Sequence, residues 1–235
     1  MDALNQLAKE INHCRRSQGC GYPPCGNHAV GKPTHQTNAV RGILVIGESP
    51  ASGGWWVTGR AFYQRVAAGR TKLSRTGANL NHCLTLLGTR IEDVSFVEAV
   101  KCRPPVDSPW SPGNQVRQRC REFLRKYLFL TQPELILPFG RVATASCLEI
   151  AFETKQVKLE HIVGKPLEWD APWSSCWILP LHHPSPANNG RWPANKQYLQ
   201  MFVENHPDIL MHIISHANKV PDPASYHCPT AFREK

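Results

Sequence analysis

Four short apolar runs punctuate the chain, and each stops abruptly at glycine, proline or a charged residue. Ile43, Leu44, Val45 and Ile46 follow Gly42 and halt at Gly47-Glu48-Ser49-Pro50. A run of that length bounded by turn residues reads as a strand buried on both faces, with a tight turn at its carboxyl end. Residues 95–100, 135–139 and 177–181 have the same character. Between these runs the apolar period lengthens. Within 114–130, Val116, Cys120, Phe123, Leu124 and Tyr127 share one stripe, and 77–87 and 141–152 read as shorter helices. Strands alternating with helices predict a parallel sheet covered on both faces, in a single α/β domain. At the start, Asp2 can cap a helix that places Leu4, Leu7, Ala8 and Ile11 on one face and ends near Cys14. The expected organisation is one domain over 1–235. It comprises the first helix and a cysteine-rich segment (1–41), an α/β core (42–217) and a Pro-rich tail (218–235).

Parallel sheets bind ligands outside the carboxyl ends of their strands. Four features follow directly on strands and so converge on one rim: Gly47-Glu48-Ser49-Pro50, Lys101-Cys102-Arg103-Pro104-Pro105, Phe139-Gly140 and His182-His183-Pro184-Ser185-Pro186. A histidine at such an end can donate a hydrogen bond to charge developing on a leaving group. A carboxylate on the facing turn can steady a sugar cation or its attacking water. Cleavage of a glycosidic bond uses that pairing. The loop from Ala187 to Arg191 is short and polar enough to enter a nucleic-acid groove.

Charge and cysteine content narrow the classes further. Among 235 residues, 27 Lys and Arg stand against 18 Asp and Glu, a net +9 that points to a polyanionic partner. No run approaches the roughly 18 apolar residues of a membrane span. Met1-Asp2-Ala3-Leu4-Asn5 also lacks the layout of an export signal, so the cytoplasm is the expected compartment. Nine cysteines, an odd number without an export signal, argue against a disulfide framework and for metal ligands or buried thiols. Cys14, Cys20 and Cys25 cluster near the N-terminus in a segment with little apolar periodicity, whereas Cys83, Cys147 and Cys176 read as small buried hydrophobes.

Five segments in order carry a resemblance. Ile46-Gly47-Glu48-Ser49-Pro50-Ala51, Thr58-Gly59-Arg60-Ala61-Phe62, Val100-Lys101-Cys102-Arg103-Pro104-Pro105, Cys120 and His183-Pro184-Ser185 resemble the motifs of the uracil-DNA glycosylase superfamily, nearest its iron–sulfur branch, over about residues 1–205. The resemblance implies a three-layer α/β/α sandwich around a four-stranded parallel sheet, and a monofunctional DNA glycosylase that flips its target base. It implies catalytic roles for Glu48 and His183, a base pocket containing Gly47, Phe62, Glu98 and Ser185, and DNA contacts from Asn188, Asn189 and Arg191. The basic stretch Arg65, Arg70, Lys72 and Arg75 is expected to meet phosphates. Cys14, Cys102 and Cys120 match cluster ligands. The usual second upstream cysteine position is Ser17, so Cys20 or Cys25 takes its place. A 4Fe–4S cluster suits this thiolate set, with zinc the chemical competitor. DNA is the implied partner, with no membrane and a monomeric state.

The chain departs from the family at Glu98, where uracil-removing relatives carry an Asn three positions before the motif lysine, here Lys101. An ionised carboxylate accepts but cannot donate, so it opposes uracil's O4 and suits the exocyclic amino group of cytosine. A carboxyl group with a raised pKa can also hand a proton to N3 of the base. The long stretch 63–76 after Phe62, together with Ala61 and Ser52-Gly53-Gly54-Trp55-Trp56, suggests a remodelled pocket wall able to take a group on C5. The reading favoured by the residues is excision of a C5-modified cytosine, similar to superfamily members that remove glucosylated hydroxymethylcytosine from phage DNA in antiviral defence. Uracil excision in base-excision repair is the alternative. A non-catalytic iron–sulfur DNA-binding module is a further one, opposed by the retention of Glu48 and His183.

Overall fold

The computed structural model of the chain describes residues 2–14, 35–36, 42–50, 58, 61–67, 69–101, 114–154, 158–188 and 190–217. In chain order these form α1 (Asp2–Cys14), β1 (His35–Gln36), β2 (Ile43–Gly47), β3 (Tyr63–Ala67), β4 (Arg70–Leu73), α2 (Arg75–Thr85), β5 (Ser95–Glu98) and α3 (Asn114–Thr131). There follow β6 (Leu135–Pro138), α4 (Gly140–Phe152), α5 (Leu159–Ile162), β7 (Leu167–Ala171), β8 (Ser174–Ile178), a 3-10 turn at Pro186–Asn188, α6 (Ala194–Asn205) and α7 (Pro207–Ala217).

The main sheet has the order β1-β5-β2-β6-β8-β7. Strands β5, β2, β6 and β8 run parallel, and they are the four buried runs read from the sequence. The sheet is nevertheless six strands wide rather than four, because β1 and β7 pair antiparallel at its two edges. β7 escaped the sequence reading for a physical reason. Only Trp169 and Ala171 of its five residues are buried, so it shows no continuous apolar run. β8 starts at Ser174, earlier than expected, since the polar Ser174 and Ser175 pair with the edge strand.

Successive residues of the central strands face opposite layers, as the pleat requires. Leu44 and Ile46 pack with α1, α3 and α4 through Leu7, Ile11, Leu124, Ala143 and Cys147. Ile43 and Val45 pack with α2, α6 and α7 through Leu80, Leu84, Leu199, Phe202 and Ile213. The predicted α3 stripe is buried at all five positions. Lys126 on its outer side pairs with Glu10 of α1 at 2.6 Å, and Arg121 pairs with Glu149 of α4. The stretch 63–76, expected to form a pocket wall, is an exposed antiparallel hairpin, β3–β4, with a bulge between Arg65 and Ala67 that leads into α2. Among the described residues, no helix is long and apolar enough to cross a membrane.

The chain visits β2 first, then β5 on one side of it, then β6 on the other. Its progression along the sheet therefore reverses at β2, and a crevice at the carboxyl ends of such strands is the expected ligand site.

Candidate active site

A cleft of about 1000 Å³ opens there. Gly47, Glu48 and Ser49 line it from the end of β2, Glu98 from the end of β5, and Gly140, Arg141 and Val142 from the start of α4. His182, His183, Ser185, Ala187, Asn188 and Arg191 come from the loop after β8. Phe62 with Tyr63, Gln64 and Arg65 of the hairpin forms a further wall. The sequence-predicted Gly47, Glu48, Phe62, Glu98, His183, Ser185, Asn188 and Arg191 are thus brought together around one space, whereas Asn189 lies outside the described residues.

Glu48 is seated by the first turn of α4. Its Oε1 accepts the Val142 N–H at 3.1 Å, placing negative charge at the positive end of a 13-residue helix. Room for that seat comes from Gly140, whose φ of +85° is left-handed and at which a Cβ would lie 2.5 Å from Glu48 Oε1.

His183 has a defined tautomer. The Ser185 N–H donates to its Nδ1 at 3.2 Å, so the neutral ring carries its proton on Nε2. Burial holds its pKa below the ordinary value of 6.5, against the opposing pull of the Glu48 charge. The loop that carries it is pinned by three asparagines. Asn195 of α6, fully buried, accepts the His182 N–H at 2.9 Å and donates to the His182 carbonyl at 2.8 Å. Asn79 donates to the Pro184 carbonyl and Asn188 to the His183 carbonyl, at 2.9 and 3.3 Å. Asn188, expected to meet DNA, thus turns its amide inward to the histidine loop. Neither Asn79 nor Asn195 was singled out from the sequence, since one asparagine on a helix carries no local signal of a partner 105 positions away. His182 also lines the cleft, and burial, with the nearby Arg191 charge, lowers its pKa.

Phe62 holds a strained backbone, φ +65°, rare for a bulky residue. Its carbonyl accepts the Ser74 N–H at 2.7 Å, and its ring meets Phe96 edge to face, with centroids 4.5 Å apart. Strain kept by surrounding contacts is common at functional sites.

Glu98 forms part of the cleft floor. Gly47 is its register partner across β2 and β5, and a Cβ on Gly47 would lie 2.5 Å from Glu98 Oε2. Oε2 is enclosed and has no hydrogen-bond partner among the described residues. The Lys101 ammonium donates to the Glu98 backbone carbonyl rather than to the carboxyl. Burial pushes the Glu98 pKa up to about 8, with Lys101 lowering it and Glu48 raising it further. Near neutral pH this burial favours the protonated carboxyl, which offers a donor as well as an acceptor, the raised-pKa form read from the sequence beside the acceptor-only one.

For a cofactor, the described thiols separate into two kinds. Cys83, Cys147 and Cys176 are buried, and burial pushes the first two up to about 11 and 12 and raises the third, as inert apolar residues require. Cys14, at the end of α1, packs on the core face that contains Cys120, and Cys120 Sγ accepts the Lys101 N–H at 3.4 Å. An N–H directed at sulfur from the residue before Cys102 is a contact that a thiolate ligand can use, and of the expected ligand set Cys14 and Cys120 are the two described. Cys20, Cys25 and Cys102 lie outside the described residues. Among the described ones, no three His, Cys, Asp or Glu side chains are gathered to hold a metal.

Comparison with known proteins agrees with this geometry. The family model for the uracil DNA glycosylase superfamily matches residues 35–205. The chain is 28% identical over 162 residues to the type-4 uracil-DNA glycosylase of Thermotoga maritima, covering 65% of this chain and 74% of the relative. It is 24% identical over 192 residues to that of Archaeoglobus fulgidus (79% and 83% covered), and 26% identical over 191 residues to that of Saccharolobus solfataricus (80% and 78%). With a parallel sheet whose strand ends close around Glu48 and His183, and a family match over most of its length, the chain belongs to the uracil DNA glycosylase superfamily and is a DNA N-glycosylase.

Proposed function

We propose that the protein flips a pyrimidine into this cleft and hydrolyses its N-glycosidic bond, with a cytosine-type base substituted at C5 as its preferred substrate. The observation that carries the substrate reading is the carboxyl of Glu98 on the floor, where uracil-removing relatives present an amide. A cytosine-type edge gives it an amino N–H to accept, and the acid's own O–H meets N3. Tyr63, Gln64 and Arg65 of the hairpin line the cleft beside Phe62, and in this reading they border the C5 substituent. In this reading the substrate is phage DNA and the activity serves antiviral defence.

In this reading Phe62 stacks on the base. As the C1′–N1 bond breaks, His183 Nε2–H donates to the pyrimidine's carbonyl oxygen, where negative charge gathers. Loss of one such donor costs roughly 10²–10³-fold in rate. The neutral ring favoured by burial keeps that donor without placing a second full charge beside the sugar cation. Glu48, fixed by Val142 N–H, steadies the cation and takes a proton from the water that adds to C1′. Arg191, exposed at the cleft edge, and Arg70 and Lys72 of the hairpin contact phosphates. Cys14, Cys102 and Cys120, with Cys20 or Cys25, hold an iron–sulfur cluster that cross-links the N-terminal segment to the core. A brown protein with thiolate-to-iron absorbance distinguishes iron from zinc.

Uracil excision is the second reading. It is favoured by the type-4 relatives and by the protonated state of Glu98, whose O–H can face O4. Oligonucleotides bearing uracil, cytosine, hydroxymethylcytosine or glucosylated hydroxymethylcytosine, treated with alkali after incubation, decide between them. Strand cleavage at the modified cytosines is expected. Cleavage at uracil alone overturns the substrate reading, and cleavage at none favours a binding module.

A further inference from the structure

We propose that Glu98 is the proton donor to N3 of the departing base, a catalytic residue that makes cytosine a competent leaving group. The inference rests on the substrate reading above and goes further, from recognition to chemistry. Uracil leaves as an anion whose charge spreads over two carbonyls, whereas cytosine has one carbonyl and is the poorer leaving group. An enzyme acting on cytosine therefore gains most from an acid at N3, the ring nitrogen on the edge that Glu98 faces.

The geometry supplies an acid rather than a carboxylate. The carboxyl sits over the bare backbone of Gly47, and Oε2 is enclosed with no hydrogen-bond donor to it among the described residues. Among the described residues, Lys101 and Glu48 carry the charges that act on it, while Arg65, Arg141, Glu160 and Arg191 line the same cleft. Lys101, from the turn after its own strand, directs its ammonium to the Glu98 carbonyl oxygen, and Glu48, from the end of β2, adds a like charge. His183 enters the same cleft from the loop after β8. Burial accordingly keeps the proton on Glu98 up to about pH 8.

The step balances. The Glu98 O–H breaks and N3–H forms, while the C1′–N1 electron pair returns to the ring and the base leaves neutral as its N3–H tautomer. Water adds to C1′ and passes its proton to Glu48. Glu98 regains a proton from solvent once the base departs, and nothing is oxidised or reduced.

Glu98→Gln tests this, because its amide reproduces both hydrogen bonds of the protonated acid but cannot transfer a proton. With oligonucleotides containing hydroxymethylcytosine, kcat is expected to fall about 10²-fold or more while KM stays within about threefold. Wild-type-like kcat in the variant overturns proton donation and leaves the substrate reading standing. A wild-type enzyme that releases no cytosine-type base at all overturns both. Should the variant fold poorly, the infrared carbonyl band of a protonated buried carboxyl in the wild-type protein at pH 7, lost by pH 9, is the second measure. Its absence at pH 7 overturns the proposal.

Discussion

Gly140 offers the sharpest test of how the fold seats its carboxylate. In Gly140→Ala the new Cβ would lie 2.5 Å from Glu48 Oε1 and 2.8 Å from its Cδ, so the carboxylate must withdraw. Restoring ordinary contact near 3.5 Å takes a shift of about 1 Å. That shift breaks the 3.1 Å bond from Val142 N–H. Alanine at φ +85° adds about 1–2 kcal/mol of backbone strain. With the lost charge-assisted hydrogen bond the total is about 2–4 kcal/mol. For a chain of this size that lowers the melting temperature by about 5–15 °C. A displacement near 1 Å at a reacting group costs about 10²-fold in rate. Single-turnover base release at 25 °C, well below the lowered melting point, measures the second effect separately from the first. Combining Gly140→Ala with Glu48→Gln should add little to Glu48→Gln alone, since both act through one carboxylate. A variant that melts lower yet releases base within about threefold of wild type would refute the placement of Glu48 in the chemistry.

Three other outcomes are expected. Glu98 keeps its proton to about pH 8 in the fold but loses it above 4.5 when unfolded, so the unfolded chain binds fewer protons in that window and stability falls as pH rises through it. Glu98→Gln removes this decline. Denaturant midpoints should nearly coincide at pH 4.5 and favour the variant at pH 7.5, by up to a few kcal/mol, and parallel curves would refute the buried acid. Phe62→Ala should weaken substrate binding by about 1–3 kcal/mol, seen in KM, and should also lower the melting temperature, because packing on Phe96 is lost while alanine keeps the φ +65° strain. Arg70→Ala with Lys72→Ala should reduce the slope of log affinity against log salt by about 1 per lost phosphate contact; an unchanged slope places the hairpin away from DNA.

Much of the site was legible because it lies at strand ends. The runs before Gly47 and before Lys101 have the apolar continuity of buried strands, and Gly47, Glu48 and Glu98 at their ends line the cleft. The α3 stripe was equally plain, because period 3.6 with Leu124 and Tyr127 on one face needs no tertiary information. What stayed hidden depends on distant partners. β7 is apolar only at alternate positions, and β3–β4 is a polar hairpin that looks like a charged loop until its strands pair. The anchoring role of Asn195 exists only because α6 packs beside the histidine loop. The protonation of Glu98 likewise cannot be read from the residue itself, since it follows from Gly47 leaving space above it and from the absence of any donor to Oε2.

The two carboxyl groups of the cleft show why environment, rather than residue type, divides the proposed work between them. Glu48 and Glu98 end adjacent parallel strands, and Gly47, the residue before Glu48, is the register partner of Glu98. Glu48 reaches the start of α4, where a backbone N–H and the helix dipole meet its charge. Glu98 turns onto a bare glycine, where among the described residues no hydrogen-bond donor meets Oε2 and the Lys101 charge only partly offsets burial. Hydrolysis of a cytosine-type nucleotide uses one group that takes a proton from water and one that gives a proton to the base, and neighbouring carboxyls in unlike surroundings supply that pair. Inserting an N–H donor near Glu98 Oε2 would turn the second group into a copy of the first. Cytosine release should then decline while uracil, which leaves as an anion, depends far less on the change.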